Sequence, residues 1–240
     1  MGRTIEGIFS RYSPFWGFCQ NIFQEWYLGD DLYTVTYGHP PAQPGKPGTI
    51  SFERPLLPLE EVQATLETLC QQDYTLGLAT GRMQQEAVYP LKMYGLLKYF
   101  DDQHISTYDD VEQAEVKLRR RGDQTLLTKP HPFPFLVAFD RDYWETRIPP
   151  YTDHEHLSVY SRGGACPHPG SGLPGSGLPG SGLPDSLNRP IPRGTFIVVG
   201  DSTSDILGGR AAGALTVAVL TGARTPEARS LLAQSEPDFT

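Results

Sequence analysis

The stretch TFIVVGDSTSDILGGRAAGALTVAVLTG, residues 195–222, decides the fold. An apolar run at 196–199 predicts one strand, the pattern at 204–212 predicts a helix, and a second apolar run at 216–220 predicts another strand. Strands that are apolar throughout and separated by a helix are typical of a parallel sheet covered on both faces. Ligands bind at the carboxyl ends of such strands, so the residues after 199 are candidate site residues.

Two carboxylates, Asp201 and Asp205, follow the first of these strands. Two acids at one strand end repel each other unless a cation or a proton lies between them, and hard oxygen ligands suit Mg²⁺. The same residues have a structural interpretation, which the sequence leaves equally open. Asp201 is then a turn residue, Ser202 or Ser204 caps the helix, and the helix dipole favours the second acid.

Polar groups also follow an earlier strand, which the sequence predicts at residues 74–79. Thr80 supplies a hydroxyl and Gly81 an N–H at the strand end, and Lys129 precedes a proline that suits the start of a helix. Taken singly, the threonine fits a turn cap and the lysine a surface position. A hydroxyl, an ammonium and two acids at the mouth of one sheet are nevertheless the groups that phosphoryl transfer uses.

Two other site chemistries are weaker candidates. A serine hydrolase with Ser202 as nucleophile needs a histidine base, and all six histidines, the last being His168, precede that serine. A possible metal cluster consists of Asp153, His154, Glu155 and His156. Nothing near the cluster in sequence would make it rigid, which disfavours a metal site there.

Three segments resemble motifs of the haloacid dehalogenase (HAD) superfamily. LGLATGR (76–82), KPHPF (129–133) and VVGDSTSDILGGRAAGALTVAVLTG (198–222) are similar to the second, third and fourth motifs, in the family's order. The resemblance covers about 50–139 and 195–224 and is closest to the phosphoglycolate-phosphatase-like branch. It implies an α/β fold, a HAD-like Rossmannoid parallel sheet with helices on both faces, plus a partial helical cap.

The resemblance also implies roles for the candidate residues. By it, Thr80 and Gly81 bind the phosphoryl group, Lys129 steadies the nucleophile and the phosphate, and Asp201 and Asp205 hold Mg²⁺. The implied partner is a small phosphorylated metabolite, and the implied reaction is hydrolysis of a phosphate monoester through a phosphoaspartate.

The family's first motif, an apolar strand ending in Asp-x-Asp, is not found before Thr80. Asp30 and Asp31 follow a helical pattern and have the wrong spacing. Asp140 and Asp142, in FLVAFDRDYW, have the right form, but the prolines before them favour the start of a helix. We therefore expect the chain to begin inside the cap and to be inactive as given, the nucleophile strand being lost, omitted or carried by another chain. The alternative is a non-catalytic HAD-like binding or scaffold module.

The predicted domains are a partial helical cap at 1–45, a HAD-like core at 49–144 and 194–240, and a low-complexity insertion at 145–193. The insertion contains GSGLP three times, and this composition lacks the apolar surface needed for a packed core. Aromatic residues at helical spacing in 9–26 predict a helix with a packed aromatic face. Cys19 and Cys70 lie in apolar patterns and are expected in the core.

The composition and the net charge exclude further classes of function. The chain has 240 residues, a net charge of −8 and a pI near 5.2, which argues against a nucleic-acid partner. The basic run Lys117–Arg121 reads as a solvated helix end. Three cysteines give no disulfide framework, and no apolar run approaches a membrane span, so we expect a soluble, cytoplasmic protein. The sequence does not predict the oligomeric state.

Overall fold

The computed structural model describes residues 11–141 and 191–240, which form two compact units. The first contains residues 11–75 and 82–99, and the second contains 76–81, 100–141 and 191–240. Among the described residues, no helix combines the length and the apolarity needed to cross a bilayer. The predicted domain boundaries stay a prediction.

The first unit is helical. It contains α1 (Pro14–Tyr37), α2 (Leu59–Gln71) and α3 (Gln84–Met93), with 3₁₀ turns at Thr49–Phe52 and Leu97–Tyr99. Helix α1 begins after Ser13, whose side chain accepts a hydrogen bond from the Trp16 N–H. It ends at Gly38, which adopts the left-handed conformation that terminates many helices. Gly29, with φ 77° and ψ 171°, is not helical and divides α1 into two helical parts, so the first part ends close to the predicted position 26 and a second part continues to Tyr37.

The aromatic face of α1 is exposed, and the prediction that it packs is wrong. Its exposed residues are Phe15, Trp16, Phe18, Ile22, Phe23 and Trp26. The helix instead buries Glu25, Leu28 and Tyr33. Glu25 can be buried because its carboxylate accepts hydrogen bonds from Lys46 Nζ at 3.0 Å and the Ala42 N–H at 2.9 Å.

Cys19 and Cys70 are also exposed, so their predicted place in the core is wrong. Cys19 lies on the exposed face of α1. Cys70 lies in the last turn of α2, a helix without a fully buried residue. Apolar spacing showed that these segments are helical but not which helix face is covered.

The second unit contains two pairs of parallel strands. Strand β1 (Leu78–Ala79) pairs with β2 (Ile105–Ser106), and β3 (Ile197–Gly200) pairs with β4 (Leu215–Ala218). Helices α4 (Tyr108–Arg120), α5 (Phe133–Phe139), α6 (Thr203–Ala211) and α7 (Pro226–Gln234) complete the unit. The predicted α/β class with parallel strands is confirmed. Lys117, Arg120 and Arg121 are exposed at the end of α4, which agrees with a solvated helix end.

Helix α5 links the two strand pairs. It packs on β1, β2 and α6, and α6 packs on β3 and β4. Phe135 and Leu136 of α5 share one apolar cluster with Val198 of β3, against which Ala79 of β1 also packs. Helix α5 therefore packs against residues of both β1 and β3.

The outer edge of β4 is covered by Asp238 and Phe239. Phe239 forms a parallel bridge with Val217, its N–H donates to Thr216 O at 3.0 Å, and its carbonyl accepts from the Ala218 N–H at 2.8 Å. Asp238 Oδ2 accepts from the Thr216 N–H and hydroxyl at 2.9 and 3.0 Å. This edge therefore has hydrogen-bond partners within the chain.

The segment FLVAFDRDYW begins inside a helix, as expected. Asp140 is the C-cap of α5, so it does not end a strand. Asp142, the insertion at 145–193, and the cluster Asp153–His156 lie outside the described residues.

Candidate functional site

The loop after β3 is a helix cap built from Ser202 and Asp205. The Ser202 hydroxyl accepts from the Asp205 N–H at 3.2 Å, and Asp205 Oδ2 accepts from the Ser202 N–H at 3.2 Å and from its hydroxyl at 2.6 Å. This reciprocal pair is a capping box, so the capping interpretation of Ser202 is confirmed. No described histidine hydrogen-bonds to Ser202, which disfavours a serine-hydrolase site.

Lys129 connects this cap to the end of β1. Its Nζ donates to Asp205 Oδ1 at 2.8 Å and to the Ala79 carbonyl at 2.6 Å. Both side chains are largely buried. The ammonium also lies 5.0 Å from the centre of the Phe135 ring, within cation–π range. Because Ala79 precedes Thr80, the ammonium, one acid and the end of β1 are gathered at one place.

The Asp205 carboxylate lies against the last residue of β3. A Cβ on Gly200 would lie 2.2 Å from Asp205 Cβ, so only glycine fits there. The carboxyl ends of β1 and β3 therefore lie at the same edge, joined by Lys129.

Asp201 lies in a more open position. It is exposed, and its Oδ2 accepts from the Thr221 hydroxyl at 3.3 Å. A Cβ on Gly222 would lie 2.5 Å from that oxygen, so a larger residue in the turn after β4 would have to displace the carboxylate. The described contacts do not link Asp201 to Lys129 or Asp205.

Thr80 and Gly81 form the turn after β1. The Thr80 N–H donates to Ser106 O at 2.9 Å, which fixes the end of the strand. A Cβ placed on Gly81 would meet no heavy atom within 4 Å, so space is open beside it. The phosphoryl-binding roles of these two residues stay a prediction.

Asp201 and Asp205 supply carboxylate oxygens, the type of ligand that suits Mg²⁺, but the described contacts do not bring the two acids to one point. The described residues contain no group of three or more His, Cys, Asp or Glu side chains that could hold a metal. Asp205 already uses both oxygens, one on Lys129 and one on Ser202, whereas Asp201 has one hydroxyl partner. Mg²⁺ keeps several waters and needs only one or two carboxylates, so Asp201 is the more accessible ligand.

Sequence reasoning missed the role of His131, two residues after Lys129. Its ring is 5 % exposed, and its Nδ1 accepts from the Phe133 N–H at 3.1 Å. Burial lowers the pKa of His131 to about 4. The neutral ring therefore fixes the turn between Lys129 and α5. The signal was a histidine between two prolines, a segment with little conformational freedom.

A polar cluster in the first unit was also missed. Arg82 donates to Glu53 Oε2 and to the Tyr27 hydroxyl, both at 3.1 Å, and Tyr27 donates to Glu53. Burial, and then the hydrogen bond to Glu53, raise the pKa of Tyr27. Burial raises the pKa of Glu53, but hydrogen bonds from Arg82 and Tyr27 outweigh it and lower that pKa overall. No spacing rule connects residues so far apart in the sequence.

Comparison with known proteins supports the assignment of the carboxyl-terminal segment. Residues 180–240 match the family model described as HAD-hydrolase-like. An X-ray structure from the Northeast Structural Genomics Consortium is 28% identical, with a TM-score of 0.67 over 98% of this chain and 53% of its own. The chain therefore spans about half the length of that structure. A search of curated proteins found no match to this chain. Residues 180–240 are thus similar to a HAD-like hydrolase segment, and the mixed α/β fold of the chain is similar to that of the solved structure.

Proposed function

We propose that the chain supplies the phosphate- and Mg²⁺-binding part of a HAD-like phosphatase of the phosphoglycolate-phosphatase-like branch. Its substrate is a small phosphate monoester, and the chain alone, a cytoplasmic protein, does not turn it over. The observation that supports this best is the Lys129 ammonium, which joins the end of β1 to Asp205. It places a cation where the carboxyl ends of two parallel strands meet.

The residues at this edge have complementary tasks. The Thr80 hydroxyl and the Gly81 N–H donate to phosphoryl oxygens, and the Lys129 ammonium offsets their negative charge. Asp201 would hold Mg²⁺, with Asp205 beside it, and the ion would supply charge neutralisation at the transferring phosphoryl group. Asp205 keeps the Lys129 ammonium directed to this edge through their 2.8 Å ion pair.

We assign no nucleophile among the described residues. In the proposed reaction, an aspartate carboxylate attacks the phosphorus and breaks its bond to the alcohol of the monoester, which leaves, and water then hydrolyses the phosphoaspartate to release inorganic phosphate. None of the four described strands is followed by two aspartates two residues apart, and Asp140 caps a helix. We therefore expect binding of phosphate and Mg²⁺ without turnover.

Activity and binding are measured separately. Hydrolysis of p-nitrophenyl phosphate by residues 1–240 with Mg²⁺ is expected to be absent. Calorimetry is expected to show Mg²⁺-dependent phosphate binding that both Asp201→Asn and Lys129→Met weaken at least about tenfold, since each removes a charged contact. Robust hydrolysis that Asp201→Asn abolishes would overturn the proposal and make Asp140 the candidate nucleophile. A cooperatively folded chain that binds neither ion would contradict the proposed site.

A non-catalytic binding or scaffold module is the second candidate. The observation in its favour is that both Asp205 oxygens already have partners, so this acid serves the local structure. Asp205→Asn is the discriminating variant, with Asp201→Asn as the matched control. If Asp205→Asn lowers the melting temperature and leaves Mg²⁺ affinity unchanged, while Asp201→Asn does the reverse, Asp205 is a structural residue. Loss of Mg²⁺ affinity in both variants favours the phosphatase site.

A further inference from the structure

The first part of α1, before the break at Gly29, carries a line of apolar residues on its exposed face. Four exposed residues follow one another at intervals of four, three and four positions: Phe15, Cys19, Ile22 and Trp26. Residues at this alternating spacing lie in one line along a helix and form the contact seam of paired helices. We call these four residues the α1 seam.

The opposite face of the same helix packs within the first unit. Gln24 is buried, and its side-chain amide donates to the Glu86 carboxylate of α3. Gln20, one turn earlier, has its Nε2 3.8 Å from Met83 Sδ. At 3.6 residues per turn, positions 20 and 24 point away from the seam. The helix is therefore anchored by one face, and the described residues leave the seam exposed.

The exposed face of residues 14–28 carries no charged side chain. Glu25 is the only charged residue of this stretch, and it is buried in its ion pair with Lys46. Although each chain has a net charge of −8, two copies of this face can therefore meet without like charges between them. Lys46 Nζ also lies 5.6 Å from the centre of the Trp26 ring, within cation–π range. A ring that is already held in place loses little conformational entropy when a partner covers it.

The exposed apolar area is large enough for a stable pair of helices. Three more exposed aromatic residues flank the seam: Trp16, Phe18 and Phe23. Apart from Cys19, the side chains of this face are between 39% and 61% exposed. Aromatic side chains bury about 150–250 Å² each, so six side chains that are about half exposed leave roughly 600 Å² of apolar surface open. Covering it with the same face of a second copy would bury about 1,200 Å² in total, the size at which stable, specific interfaces begin.

The seam has the same order of side-chain sizes when it is read from either end. Phe15 and Trp26 are large and lie at the two ends, whereas Cys19 and Ile22 are smaller and lie in the middle. In an antiparallel pair, Phe15 meets Trp26 of the second copy, and Cys19 meets Ile22 of the second copy. A parallel pair would instead place two Trp26 side chains in one layer and two cysteines in another. The size order therefore favours the antiparallel pair, whose twofold axis requires a self-complementary surface.

We propose that the exposed face of α1 is a dimer interface, on which α1 of a second copy lies antiparallel. The twofold axis passes between Gln20 and Asn21, the midpoint of the seam. The contact ends at Gly29, where the helix breaks. Formation of this dimer does not depend on the proposed phosphatase site.

Sedimentation velocity of the full chain measures the oligomeric state. We expect a species of twice the 26.6 kDa chain mass, whose share rises with protein concentration in the micromolar range. Ile22→Asp places a carboxylate in two layers of the pair and is expected to weaken dimerisation at least about tenfold. Val35→Asp is the matched control, since Val35 is an exposed apolar residue of α1 beyond Gly29, and it is expected to leave dimerisation unchanged. Thermal melting checks the folding of both variants.

Disulfide formation between two different variants measures the register of the pair. Both variants carry Cys70→Ser and Cys166→Ser. The first keeps Cys19, and the second carries Cys19→Ser and Ile22→Cys. In the antiparallel pair these two sulfur atoms lie opposite each other, so we expect the mixed disulfide to form at least about tenfold faster than a disulfide between two molecules of the first variant. Val35→Cys in place of Ile22→Cys is the control and is expected to give no such preference.

Several outcomes would overturn the inference. A chain that stays monomeric across the micromolar range would assign the aromatic face to another segment or to a different partner. Equal weakening by Ile22→Asp and Val35→Asp would assign dimerisation to another surface. A disulfide between two copies of Cys19 that forms as fast as the mixed one would contradict the antiparallel register. If Ile22→Asp fails to fold, the disulfide experiment still decides the result, because its variants keep every aromatic residue of the face.

Discussion

Acidification tests the buried turn at His131. The pKa of this ring is about 4 in the folded protein, against 6.5 for an ordinary histidine, because burial disfavours the charged form. The unfolded chain therefore binds more protons between these two values, and stability is lost as the pH falls from 6.5 to 4. Linkage gives a loss of about 3 kcal/mol in the free energy of unfolding between pH 7 and pH 4.

Urea denaturation from pH 7.5 to pH 4 measures this loss. Several carboxylates have lowered pKa values, so their protonation in acid also destabilises the folded protein. The informative quantity is therefore the difference in the free energy of unfolding between the wild type and His131→Asn. Asparagine keeps an acceptor for the Phe133 N–H and does not titrate. The free energy of unfolding of the wild type minus that of His131→Asn is expected to fall by about 3 kcal/mol as the pH falls over this range. His39→Asn, at an exposed histidine, is the matched control. If the free energy of unfolding falls with pH equally in the wild type and in His131→Asn, the reasoning is refuted.

Two glycines give further predictions. In Gly208→Ala the new Cβ would lie 2.5 Å from the Phe135 ring, so we expect thermal melting to show about 1–3 kcal/mol of destabilisation. At Gly17 a new Cβ would meet no heavy atom within 4 Å, so Gly17→Ala should be neutral or stabilising. An equal loss of stability in both variants would contradict this. Gly222→Ala should displace the Asp201 carboxylate and weaken Mg²⁺ binding, measured by calorimetry, about as much as Asp201→Asn. If the Mg²⁺ affinity of Gly222→Ala is unchanged, Asp201 is not a ligand of the metal.

The sequence predicted the second half of the core closely because its signals are local. The strands expected at 196–199 and 216–220 are observed at Ile197–Gly200 and Leu215–Ala218. The helix between them begins at the Ser202 cap. Strand β1 was expected at 74–79 and is limited to Leu78–Ala79, because strand length depends on partners that are distant in the sequence.

The site was predictable only in part. A capping box is a local four-residue pattern, here Ser202 to Asp205, so the structural role of Ser202 could be inferred from the sequence alone. The contact between Lys129 and Asp205 joins residues 76 positions apart, and no periodicity predicts such a distance. Burial in α1 was mispredicted because an ion pair between Glu25 and Lys46 covers a polar helix face and leaves the aromatic face exposed.

The short pairing of Phe239 with β4 has a practical consequence for handling the protein. A protease that cut the chain just before Asp238 would remove the hydrogen bonds that Asp238 and Phe239 make to Thr216 and Ala218. Strand β4 would then have a bare side, and clipped molecules could stack through it.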